Sequence, residues 1–134
     1  MTTTRTETQP IRSGDDVVRV RQRVRALAVE VGFGLVDQTK IITAASELAR
    51  NALDYGGGGD MRAEIVQAGM RKGLRLTFED RGPGIADIEQ ALTDYYTSGG
   101  GLGLGLGGAR RLSNEFQIES TPGSGTRVTI ARWK

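Results

Sequence analysis

The sequence predicts an α+β fold, a two-layer α/β sandwich with helices on one face of a mostly antiparallel, mixed sheet. Three observations carry this. Two amphipathic helical patterns follow one another before residue 56. Two pairs of short β segments come later, each joined by turn-forming residues as a hairpin. At 134 residues the chain has the length of one domain able to bury a proper core.

In chain order, the polar stretch "MTTTRTETQP" reads as a loose tail over residues 1–9, with a single domain over 10–134. A short strand precedes "SGDD", where Ser13 or Asp15 caps a helix over about 16–31. Val17, Val20, Val24, Leu27, Ala28 and Val31 fall on one stripe of that helix, and "GFG" ends it. A second helix runs from about Asp37 to Tyr55, with Ile41, Ala44, Ala45, Leu48, Ala52 and Tyr55 on its stripe. Segments 61–68 and 73–80 read as strands joined by "GMRKG". A short helix is expected near 87–93, after Pro83, and the glycine-rich stretch 99–108 leads into a helix ending near Ser113. Strands near 115–120 and 126–132 are joined by the turn "TPGSG".

Composition removes several kinds of chemistry. Without cysteine there is no disulfide framework, thiolate nucleophile or cysteine metal site. Without histidine there is no Ser-His-Asp mechanism and no self-phosphorylated histidine, so acid–base work falls to carboxylates. A net charge of +2 gives no argument for nucleic acid. No apolar run has the length of a membrane span and the start lacks a signal-peptide core, so a cytoplasmic protein is expected. Arg19, Arg21, Arg23 and Arg25 form two i,i+4 ridges, read as a solvated helix face with partner docking as the alternative.

Four stretches carry the functional signal. In "ELARNALDYGGGG", Glu47, Asn51 and Asp54 line one flank of the second helix beside its apolar stripe. A carboxylate and an amide so placed suit a reacting hydroxyl and a metal ion, although any amphipathic helix carries polar residues there. In "LRLTFEDRGPGI", Asp80 shares a strand face with Leu74, Leu76 and Phe78, so it ends the strand pointing inward. A carboxylate there needs a donor, which a ligand amine or its own turn supplies. "TSGGGLGLGLGGARRL" exposes amides and feeds a helix, an anion-binding arrangement. It lacks the lysine of a Walker loop, and "DYYTS" before it is no Rossmann strand. In "GSGTRVTI", Thr126 shares its inward face with Val128 and Ile130.

Taken in order, these segments resemble the GHKL (Bergerat-fold) ATP-binding superfamily. "ELARNALDYG" is similar to its N box, "EDRGPGI" and "GLGLGL" to its glycine boxes, and "GTRVTI" to its last motif. Within it, "GFGLVDQTKIITAASELARN", "DYYTSGG" and the terminal Trp133-Lys134 resemble the RsbT-type switch kinases of the stressosome, over about residues 10–134. The resemblance implies ATP and Mg²⁺ as cofactors. It implies that Asn51 holds Mg²⁺, that Glu47 is the general base, and that Asp80 accepts the adenine amine. It further implies that Gly82 and Gly84 let the nucleotide approach, that Gly101, Leu102, Gly103, Leu104 and Gly105 wrap the phosphates, and that Thr126 bonds near the adenine. Arg81 departs from the small polar residue usual after that aspartate, and Asp54 receives no role.

The expected function is a protein serine/threonine kinase that moves the ATP γ-phosphate to a STAS-domain antagonist and, once released, activates a downstream phosphatase or regulator. No nucleic-acid or membrane partner is expected. One alternative is an anti-sigma factor kinase with the same pocket and an added sigma-binding surface. An alternative of another class is an ATP-gated binding module without phosphotransfer, against which Glu47 argues, since binding alone requires no base there.

Overall fold

A computed structural model describes residues 1–92 and 105–134. Its elements are β1 (Thr2–Ile11), α1 (Gly14–Val31), α2 (Leu35–Asp54), β2 (Gly59–Ala68), β3 (Arg71–Asp80), α3 (Ile88–Ala91), α4 (Gly105–Arg111), β4 (Glu115–Ser120) and β5 (Thr126–Trp133). The strands form one sheet in the order β1-β2-β3-β5-β4. Among the described residues every pairing is antiparallel, so the sheet there is not the mixed one expected. Among the described residues no helix is long and apolar enough to cross a membrane.

Local sequence explains the helices. Ser13 caps α1, its hydroxyl accepting from the Asp16 amide, and Gly32 ends the helix at φ 98°. The buried residues of α1 are the six of the expected stripe. On α2, Ile41, Ala44, Ala45, Leu48 and Ala52 are buried as expected. Tyr55 is not: it is the C-cap residue and stays 44% exposed. The helix has ended before its side chain is carried round to the core.

The two helices lie on the sheet face formed by Met61, Ala63, Ile65, Leu74, Leu76, Phe78, Val128 and Ile130, all buried in one cluster with the helix stripes. The opposite face is polar. There Glu64 accepts two hydrogen bonds from Arg75, each 3.2 Å, which hold its carboxyl below the usual glutamate range. Arg132 closes the far end of the helix layer: its guanidinium reaches Asp37 of α2 at 2.7 Å and donates to the Leu112 carbonyl.

The expected loose tail over residues 1–9 is corrected by the structure. Residues 2–11 are the edge strand β1, registered from Thr2 opposite Gln67 to Ile11 opposite Gly59. Five of its residues are β-branched threonines, which suit a half-buried strand despite their polarity. An edge strand needs few buried side chains. Gln9 and Ile11 supply them, with Gln9 held by Arg23 of α1 at 2.7 Å. Pro10 is tolerated because this strand lies at the sheet edge.

Candidate functional site

A cavity of about 430 Å³ opens between the C-terminal half of α2, the ends of β3 and β5, the 83–87 segment, α3 and the start of α4. That size is usual for a small-molecule site, which is roughly 300–1,000 Å³. Glu47, Asn51, Asp80, Gly84, Gly105 and Thr126, six of the residues singled out in the sequence, line it together. They come from α2, the end of β3, the following turn, α4 and β5, so only folding brings them together. Gly101, Leu102, Gly103 and Leu104 lie outside the described residues.

Each wall has a local cause. On α2, Glu47 and Asn51 are one turn apart, partly buried, and neither side chain bonds to another described residue. Asp80 closes β3 opposite Gly59 on one side and Thr126 on the other. Its Oδ1 accepts the Gly82 amide at 2.9 Å. Burial pushes the Asp80 carboxyl above the ordinary aspartate value, while hydrogen bonds from the backbone amides of Gly82 and Thr126 oppose the rise. This carboxylate is incompletely compensated and faces a cavity, an arrangement frequent at functional sites.

The glycines have a more specific reason than ligand approach alone. A Cβ on Gly56 would run into the Asp80 carboxyl, and one on Gly82 would meet the Gly56 Cα at 2.5 Å. Gly82 itself does not line the cavity, so its part is to seat the turn beneath Asp80. Gly84 has φ 77°, and its Cβ would strike the Thr121 carbonyl. The turn after β3 is therefore pressed against the β4–β5 hairpin, and the Gly123 amide donates to the Pro83 carbonyl at 2.6 Å.

Ser120 ties these parts together and was not singled out in the sequence. Its Oγ accepts the Ile85 amide at 2.8 Å, lies 2.8 Å from the Thr126 hydroxyl, and donates to the Gly125 carbonyl at 3.1 Å. Only the strand register, which sets Ser120 opposite Thr126, reveals this network. Arg50, Asp87 and Gln90 also line the cavity without having been singled out, as does Tyr55, which the helix stripe had assigned to the core. Arg50 and Tyr55 sit inside the N-box stretch itself, while Asp87 and Gln90 follow the turn after Asp80.

Comparison with known proteins places the chain in a family. The sequence profile "Histidine kinase-, DNA gyrase B-, and HSP90-like ATPase" matches residues 36–134. The Bacillus subtilis serine/threonine-protein kinase RsbT is 47% identical over 118 residues, covering 88% of this chain and 89% of that one. An anti-sigma F factor of Clostridium novyi is 31% identical, covering 84% of this chain and 82% of its own. A crystal structure of the RsbU and RsbW domains of a Mycobacterium tuberculosis protein superposes with a TM-score of 0.68 at 22% identity. It covers 98% of this chain, which spans 33% of that larger one, and shows the shared fold. The profile match over most of the chain, the near-full-length likeness to RsbT and the cavity at the expected motifs lead to one conclusion: this chain belongs to the histidine kinase-, DNA gyrase B- and HSP90-like ATPase family.

Proposed function

We propose that this protein is an ATP-dependent protein serine/threonine kinase of RsbT type, acting in the cytoplasm on a hydroxyl of a STAS-domain partner. The observation that carries this is the convergence of Glu47 and Asn51 with Asp80 and Thr126 on one cavity. A nucleotide pocket without transfer has no use for an unpaired carboxylate one helical turn from the metal-binding amide. The 47% identity to a kinase, against 31% to an anti-sigma factor, favours a switch kinase over a sigma-binding protein.

In this reading the adenine amine donates to Asp80, and the Thr126 hydroxyl, fixed by Ser120, meets the same ring. Asn51 fits Mg²⁺: its side chain is unpartnered, faces the cavity and offers a hard carboxamide oxygen. Among the described residues no cluster of three acidic, histidine or cysteine ligands exists, which suits an ion that keeps waters and takes few protein ligands. Asn51 would hold Mg²⁺, which would supply positive charge to offset the negative charge of the phosphates during transfer. Glu47 takes the proton from the partner's serine or threonine hydroxyl as its oxygen bonds to the γ-phosphorus and the bridging bond to ADP breaks. Release of the kinase from its antagonist then lets it act on a downstream phosphatase or other regulator.

The test is incubation with γ-labelled ATP, Mg²⁺ and STAS-domain proteins encoded near this chain. A labelled serine or threonine on one of them is expected. Glu47→Ala should keep ATP affinity within a few-fold while single-turnover transfer falls about 10²–10⁴-fold, the usual worth of a general base. Transfer by that variant at the wild-type rate sinks the base assignment. ATP-dependent binding of a partner with no transfer by the wild type establishes the gated binding module instead.

A further inference from the structure

The charges of the cavity wall are unequal. Glu47, Asp54, Asp80 and Asp87 line it, and Arg50 is the one cation among its described lining residues. Residues 93–104, between α3 and α4, contain Asp94 and no lysine or arginine. Arg50 sits on α2 three residues after Glu47 and four before Asp54, both positions where a helical arginine can pair. It pairs with neither and makes no ion pair or side-chain hydrogen bond with any described residue. Arg21, Arg25, Arg81 and Arg110 are likewise unpaired among the described residues, but none of them lines the cavity. The Asp80 end of the cavity adjoins Gly56, just past the end of α2. Arg50 lies four residues up the helix from Asp54, about 6 Å at 1.5 Å per residue, beside Asn51.

We propose that Arg50 is the phosphate-binding cation of this site: it contacts the phosphate tail of the nucleotide, not its nucleoside, and positions that tail for transfer. The proposal rests on the kinase reading and deepens it. A polyanion entering a wall of carboxylates meets repulsion that a single divalent ion does not cancel. An unpaired guanidinium beside the metal-binding amide supplies the missing charge in a form suited to phosphate oxygens. A merely solvated arginine on a helix surface would leave nucleotide affinity unchanged.

The test is calorimetric titration of wild type, Arg50→Ala and Arg50→Lys with adenosine, ADP and ATP in the presence of Mg²⁺. Arg50 is exposed, so thermal unfolding of both variants should match wild type. Arg50→Ala should bind adenosine within about twofold of wild type and ATP about tenfold or more weaker, as for loss of a charge-assisted hydrogen bond, with Arg50→Lys in between. Equal losses for adenosine and ATP assign Arg50 to the structure of the pocket and overturn the proposal, as does an unchanged ATP affinity. A wild-type protein that binds none of the three ligands overturns the kinase reading and this proposal together, a result visible before any variant is made.

Discussion

At the scale of single residues, Asp80 sets stability against the adenine-binding role proposed for it. Its carboxyl is raised by burial above its value in the unfolded chain. The folded form therefore binds a proton more readily, and the associated stability is present below the ordinary aspartate range and is lost as pH rises through the raised value. Above that raised value the ionised group destabilises the empty protein. Asp80→Asn removes that charge and keeps an acceptor for the Gly82 amide, so its unfolding midpoint should equal or exceed that of wild type. In the role proposed for Asp80, the same change sets an amide donor against the adenine amine. ATP affinity should fall roughly 10- to 150-fold, the worth of a charge-assisted hydrogen bond in a buried site. In the wild type, affinity should decline as pH is lowered through the raised Asp80 value, and the variant should lose that dependence. A variant that binds ATP as tightly as wild type places the adenine elsewhere.

At the scale of elements, the pocket depends on two backbones meeting where α2 ends and β3 turns. Gly56 and Gly82 touch there, and neither has room for a methyl group. Gly82→Ala should therefore destabilise the protein by about 1–3 kcal/mol, as overpacking does, and weaken ATP binding because Asp80 loses its seat. Gly14→Ala is the matched control: its Cβ would meet nothing within 4 Å, and the residue starts a helix without positive φ. Chemical denaturation of the two variants separates them, and equal midpoints would show that the turn yields without cost. The element-level signals in the sequence were strong where the residues themselves impose the conformation. Ser13 and Gly32 mark both ends of α1, and the α1 stripe is legible as a period of 3.6. Tyr55 was misread because the same period was carried one residue past the end of α2.

At the scale of the whole molecule, β1 completes the sheet that supports the pocket from behind. It covers the outer edge of β2, and its Gln9 joins Arg23 of α1 to the sheet. Deleting residues 1–8 leaves β2 with unpaired backbone groups along an exposed edge, a template for association. The truncated protein should melt roughly 5 °C or more below the full chain and aggregate on heating. A truncated protein with an unchanged melting curve would make the strand dispensable. The site residues lie at the far side of β3 and β5, so nucleotide affinity well below the transition should survive the deletion.

Much of the site was legible in the sequence because its residues sit in short motifs whose local conformation carries meaning. Asp80 at the inward end of an alternating strand, and Glu47 and Asn51 one turn apart on a helix flank, follow from periods of 2 and 3.6 alone. Ser120 was not legible, since its role arises from a register that sets it opposite Thr126 and from a turn that delivers the Ile85 amide to it. The polar β1 was not legible either, because an edge strand buries too little to leave an alternating apolar pattern. Nor was the solitude of Arg50 in an acidic wall, for a charge balance belongs to a cavity and not to a segment. Local residue preferences set the elements and the motifs they carry. The pairing of strands and the closure of helices over them decided which polar atoms face one another, because those contacts join residues far apart in the chain.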